Sequence, residues 1–323
     1  MTSWIDNTGT ARRAVAAAIT AITAITALTA PGGAASAAPA GAAAAPKHAA
    51  SGACPASALR AAKAAAWQVG DDVRRQALAL QAVACLSSAD PVERDELAFE
   101  GLQAWMRAGK LEAATVQALR TRLTANLGAP DPQGFSRPFA ALVLADVARV
   151  DRVKPFLSAE QREELVGAAT AYLRNVRDYR GFDPKQGWRH GVAHGADVML
   201  QLALHPALGR AEHERMMSAI ASQVAPAGEH FYRYGEGERL MAPIFYLSRA
   251  KTMACDDWDG WFAGLVAPSP AVGTGTQQAA LARKHNLNAF LQPLYVNISE
   301  SKDDAQRDCL KPLVLRSLKQ ATE

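Results

Sequence analysis

The sequence predicts an all-α protein: about ten helices in antiparallel hairpins, stacked into a solenoid-like array, with no sheet. Three observations carry that expectation. From residue 54 onward apolar residues recur at i, i+3, i+4 and i+7, the spacing of one helix face. The breaks between these segments hold Gly, Pro or Asp, as in Gly109-Lys110, Gly128-Ala129-Pro130-Asp131-Pro132, Gly181-Phe182-Asp183-Pro184 and Pro226-Ala227-Gly228. No run of alternating β-branched residues marks a strand.

Taken in order, the helical segments fall at about 55–69, 71–88, 91–108, 112–127, 136–149, 188–204, 210–224, 238–250, 277–296 and 303–320. The third opens on Asp90-Pro91, an N-cap followed by proline at the first helical position. Another helix follows Ser158, which forms a capping box with Gln161 ahead of Leu165, Ala168, Ala169, Tyr172 and Leu173. No strict repeat period is visible, so no named repeat is assigned, and residues 54–323 are expected to form a single domain.

The front of the chain is a different material. Trp4 is the sole aromatic before Trp67, and no charged side chain occurs from Ala14 to Pro46. Arg12-Arg13, the 17 residues Ala14–Ala30, and the A-x-A site at Ala35-Ser36-Ala37 are the basic, apolar and cleavage regions of a secretory signal peptide. A retained anchor is the weaker reading, because this stretch is short for a span and interrupted by Thr20, Thr23, Thr26 and Thr29. The expected organisation is therefore a signal peptide at 1–37, a flexible Ala/Pro/Gly-rich leader at 38–53, and a periplasmic or secreted body with no membrane span after cleavage.

Composition limits the partners. A net charge of +4 from 35 basic and 31 acidic residues is no polyanion-binding signature, so nucleic acid is not expected. The expected partner is a small molecule or an envelope protein. All four cysteines, Cys54, Cys85, Cys255 and Cys309, lie beyond the cleavage site, and an even count in an exported chain suggests disulfides. The preferred pairing joins neighbours, Cys54 with Cys85 and Cys255 with Cys309. No C-x-x-C is present to support a redox motif or zinc knuckle.

The densest run of chemistry lies between Arg180 and Asp197. On a helix beginning at 188, His190, His194, Asp197 and Gln201 fall within roughly 60° of one another. Gly191 and Gly195, one turn apart, each cost about 1 kcal/mol of helix propensity, which suggests close approach by a backbone or a ligand. Three readings of the stripe stay open. Two histidines at i, i+4 suit a divalent metal, with a third ligand drawn from Glu236, Glu238 or His230. Alternatively, Asp197 or a nearby carboxylate orients His194 in a metal-free pocket for acid–base work or ligand binding. Or the stripe is a buried His–Asp–Gln network that locks helices together. No cofactor is otherwise indicated, and H-E-x-x-H, G-x-S-x-G, Walker A and dinucleotide motifs are absent. Trp188, Arg180 and the segment Glu236, Glu238, Arg239 complete the candidate binding residues. The last three also suit a helix start, where carboxylates favour the dipole. Asp256-Asp257-Trp258-Asp259 lacks EF-hand spacing and is set aside.

Over about residues 65–295 the chain resembles the bacterial family known as domain of unknown function 2785. The likeness rests on Asp95-Glu96-Leu97-Ala98-Phe99 ahead of Trp105, the run Arg137–Leu142, and Tyr179-Arg180-Gly181. Next come Gly187-Trp188 with His190, Ala193-His194-Gly195-Ala196-Asp197, and Gly235 to Leu240. The resemblance implies an all-α bacterial domain with signature positions at His190, His194, Asp197, Glu236, Glu238 and Arg239, and it carries no established activity. Gly237 stands where the resemblance leads one to expect an acid. Two functions follow as expectations: a helical-array binding or scaffold protein of the cell envelope, or a hydrolase-like enzyme using His190 and His194.

Overall fold

The computed structural model describes residues 52–267 and 276–322. The expected signal peptide, and all of the leader but its last residues, lie outside them. Twelve α-helices account for most of the described chain: α1 (Ala56–Ala64), α2 (Asp72–Ala82), α3 (Glu100–Arg107), α4 (Ala113–Gly128), α5 (Ser136–Val153), α6 (Ala159–Arg174), α7 (Gly191–Ala203), α8 (Arg210–Val224), α9 (Glu236–Leu247), α10 (Cys255–Val266), α11 (Gln277–Ser299) and α12 (Asp304–Thr322). A 3-10 stretch, Val83–Ser87, extends α2, and a wider π-helical stretch, Val92–Phe99, leads into α3.

The helices stack in two layers. α5 packs on α7, α7 on α9, and α9 on α11, while α4 packs on α6 and α6 on α8. α12 closes the end against α10 and α11. The sequence explains which helices are central. Every residue of α5 from Pro138 to Ala148 is buried, as is all of α7 except Leu200. A helix apolar around most of its circumference must be covered on all sides. The polar residues His194, Asp197 and Gln201 on α7 therefore require partners inside the protein.

Capping follows the local signals. Ser158 Oγ accepts the Gln161 N–H, and Gln161 Oε1 accepts the Ser158 N–H, completing the capping box of α6. The first helix stops at Ala64 rather than continuing to 69, because Ala66 and Trp67 take left-handed backbone angles and the Trp67 N–H returns to the Ala62 carbonyl.

Disulfides join Cys54 to Cys85 and Cys255 to Cys309, as the neighbour pairing predicts. They close loops of 31 and 54 residues, each worth about 4 kcal/mol if loop closure in the unfolded chain sets the effect. The first ties the start of α1 to the turn after α2, and the second ties α10 to α12. No described helix is long and apolar enough to cross a membrane.

Three expectations need correction. A small sheet exists: β1 (Phe182–Asp183) pairs antiparallel with β2 (Gly187–Trp188). Its turn is built by Asp183, whose Oδ1 accepts the N–H groups of Lys185 and Gln186, and by Gly187 at φ 73°. Because that hairpin occupies 182–188, the helix expected from 188 begins at Gly191. Finally, α10 lies outside the expected segments: the acid run at 256–259 opens it, with Asp257 accepting the Ala254 N–H and pairing with Arg210.

Candidate functional site

The hairpin delivers the chain straight into α7. The Arg189 N–H bonds to the Gly181 carbonyl and the His190 N–H to that of Arg180, while the His190 carbonyl accepts the N–H of His194. His190 is thereby held at φ 56°, a left-handed conformation that a residue with a Cβ adopts only when its surroundings impose it.

The His190 ring stacks on Trp188 at 4.6 Å with planes 21° apart. Its Nε2 lies 3.1 Å from the Tyr234 carbonyl. A carbonyl only accepts, so Nε2 carries the proton and Nδ1 presents a lone pair. Burial, and then the Arg239 charge, push the pKa of His190 down to about 4, against the pull of the Tyr234 carbonyl. His194, one turn on, packs edge-on against Phe139 at 5.1 Å, with its ring 5.7 Å from that of His190. Burial drives its pKa well below the ordinary value, the neighbouring His190 ring and the Arg239 guanidinium add to it, a hydrogen bond to the Pro138 backbone opposes it, and its Nδ1 is buried without a partner. Both rings are neutral.

Asp197 does not serve either histidine. Its carboxylate is gripped by Arg239 of α9, through Nε to Oδ1 at 2.7 Å and Nη2 to Oδ2. Burial pushes the carboxyl upward and the guanidinium opposes it. Gln201 turns to a third helix, with Oε1 accepting from Arg152 Nη2 at 3.2 Å. The face that reads as one stripe is therefore three separate links: His190 to the segment before α9, Asp197 to α9, and Gln201 to α5. The expected His–Asp–Gln network does not form, because the partners lie on neighbouring helices. The same device recurs one layer earlier, where buried Asp146 of α5 accepts from Arg107 and Gln103 of α3.

The remaining candidates divide. Trp188 joins the site. Glu236 is buried and accepts the Tyr234 N–H at 2.9 Å at the start of α9, a capping role. Glu238 is exposed on the same turn. Arg180 folds back on Asp178 in an exposed pair. His230 stacks on Tyr179 rather than approaching the α7 histidines. Among the described residues no group of three or more His, Cys, Asp or Glu could hold a metal ion. Of the His190 ring nitrogens, Nε2 is committed to Tyr234 and Nδ1 is not.

The glycines are explained by packing. A Cβ on Gly195 would lie 2.8 Å from Leu173, and one on Gly191 would sit 3.4 Å from the Tyr172 hydroxyl, which donates to the Gly191 carbonyl. The close approach comes from α6. At Gly237 a Cβ would meet the Ala289 carbonyl carbon at 2.6 Å, so α9 touches the α11 backbone there and no acid fits.

Sequence reasoning missed two buried assemblies. Asp151 gathers His205 Nε2, Arg162 and the N–H groups of Phe156 and Leu157. Phe135 is sandwiched between the guanidiniums of Arg94 and Arg189, 4.2 and 4.3 Å from its ring centre. Beside Arg94, burial raises Asp95 to about 6 despite the paired guanidinium. The π-helical backbone at 92–99 was the available signal only in retrospect, since such turns leave no pattern in the sequence.

No curated protein and no solved structure matches the chain. A family model does, over residues 123–296, from the middle of α4 to near the end of α11. It contains α5, α7, α9 and the hairpin, but not the Asp95–Phe99 segment or Trp105. Cys54, Cys85 and Cys309 also lie beyond it, so both disulfides involve chain outside the matched region. Spanning more than half of the sequence and holding every candidate residue of the α7 and α9 segments, the match places the chain in the family described as Protein of unknown function (DUF2785).

Proposed function

We propose that the chain is an exported binding protein of the cell envelope, periplasmic or secreted, whose helical array presents a recognition site where the β1–β2 hairpin, the start of α7 and the start of α9 meet. The observation that carries this reading is the commitment of Asp197 to Arg239. Acid–base use of His190 or His194 calls for a carboxylate to orient the ring and stabilise its protonated form. Here the cation beside both rings is Arg239, which disfavours protonation. The interior links hold α5, α7 and α9 in register, and the rings at the rim are left to meet a ligand. The paired cysteines suit an oxidising compartment.

The test is retention. The mature protein is incubated with a small-molecule extract of bacterial envelopes, separated by gel filtration, denatured, and the released compounds are identified by mass spectrometry. The binding reading expects one compound class to be retained unchanged, and to be lost with Tyr234→Ala. Release of a cleaved product, with turnover abolished by His194→Gln, would instead support the hydrolase-like reading.

A further inference from the structure

The rim of this site has a composition that specifies a ligand class. Phe182 and Tyr234 are 48% and 41% exposed, among the few large apolar side chains left open to solvent. They flank Trp188 at ring-centre distances of 5.1 and 5.5 Å, with Tyr234 perpendicular to it. Tyr234 is seated on Gly181, where a Cβ would fall 2.0 Å from its ring, so the backbone of the hairpin fixes this aromatic group in place. Exposed ring faces held on a rigid support lose little entropy on binding and suit flat C–H surfaces.

The polar group stacked against the rings, His190, is uncharged. His190 offers Nδ1 as an acceptor, because Nε2 donates to Tyr234. The phenol of Tyr234 adds a hydroxyl. Two nearby cations are matched within the chain, Arg239 by Asp197 and Arg180 by Asp178. An anionic ligand would have to compete with those carboxylates, and a cationic ligand would meet Arg239, with Glu236 turned to the Tyr234 N–H and Glu238 the carboxylate left exposed on that turn.

We infer that the Phe182–Trp188–Tyr234 rim, with His190 Nδ1, is a subsite for a neutral carbohydrate, a pyranose ring stacking on the aromatic faces and donating a hydroxyl to the imidazole. This deepens the binding reading above and rests on it.

The experiment is calorimetric titration, with tryptophan fluorescence in parallel, using neutral trisaccharides of β-1,4-linked N-acetylglucosamine, β-1,4-linked glucose and α-1,4-linked glucose as probes. Choline and benzoate serve as the cationic and anionic comparisons. At least one trisaccharide is expected to bind and shift the emission, with Phe182→Ala and Tyr234→Ala each weakening it about 10-fold. Both positions are exposed, and an unchanged melting temperature shows that each variant is folded. Tyr234→Phe should keep the stacking and lose only the contribution of the hydroxyl. Binding of choline or benzoate alone, binding of no probe, or saccharide binding indifferent to both alanine variants would overturn the assignment. A retained envelope compound that is not a saccharide, yet is lost in Tyr234→Ala, would leave the binding reading standing while this inference fails.

Discussion

The two ends of α7's polar face hold ionisable residues under similar burial, yet they accommodate it in opposite ways. At the lower end Asp197 is 3% exposed and keeps its charge, because Arg239 supplies the opposite one at hydrogen-bond distance. At the upper end His190 and His194 are 6% and 7% exposed and carry no charge, because nothing beside them compensates one. A buried charge needs a partner, whereas an imidazole gives up its proton and remains a neutral hydrogen-bonding group. The lower end thus becomes a link between helices. The upper end becomes a buried, chemically quiet layer beneath exposed aromatic rings.

Breaking the charged end should have the largest effect. Arg239→Met leaves Asp197 buried and unpaired, and chemical denaturation is expected to show a loss of about 3–5 kcal/mol. Asp197→Leu combined with Arg239→Met should recover most of it, since two apolar side chains remove both desolvation costs. A double variant no more stable than the single one would show that the pair does more than compensate charge.

Next comes the spacing that brings Arg239 over Asp197. Gly237→Ala places a methyl against the Ala289 backbone, and is expected to cost about 1–3 kcal/mol by pushing α9 away from α11. An unchanged melting temperature would mean that this helix contact is looser than described.

The neutral end should reveal itself through pH. His190 has its pKa lowered in the folded state, so the unfolded chain binds more protons between about 4 and 6.5. Its contribution to stability is complete above pH 6.5 and is lost as the pH falls towards 4. Asp95, raised to about 6, acts with the opposite sign over an overlapping range. Its neutral form is favoured in the fold, so its contribution is present at low pH and lost as the pH rises through 6. Relative to the parent, His190→Gln is expected to be less sensitive to acid below pH 6.5, by about 1–2 kcal/mol at pH 5. A His190→Gln profile parallel to the parent's would contradict the neutral upper end.

The smallest effect is expected at His194. Replacing it by Leu removes a buried Nδ1 that has no partner together with the hydrogen bond to the Pro138 backbone, so gain and loss offset and stability should change by less than about 1 kcal/mol. A loss several times larger would reveal an interaction that this arrangement lacks.

What was legible in the sequence was local. Apolar spacing, Asp90-Pro91 and the Ser158–Gln161 box specify helices through interactions within a few residues, whereas the cysteine pairing was a preference for neighbours among the three pairings four cysteines allow. The acid run at 256–259 carries no apolar periodicity of its own, and its carboxylates favour the first turn of α10. The site was legible as a set of residues but not as an arrangement. A helical projection brings His194 and Asp197 together, but it contains no information about Arg239, which lies 42 residues later. Nor does it show that a hairpin sets His190 in a left-handed turn before the helix starts. Glycines 191 and 195 announced a close approach, and only the packing of α6 identified it as protein.

The central claim is that Asp197 belongs to Arg239 and both histidines are neutral, and imidazole NMR tests it most directly. Long-range proton–nitrogen spectra of the ¹⁵N-labelled protein, assigned with His190→Gln and His194→Gln, report protonation and tautomer together. The account predicts that neither ring protonates between pH 7 and about 5, and that His190 carries its proton on Nε2. A ring that titrates at or above its ordinary pKa would place a carboxylate beside it and contradict the account.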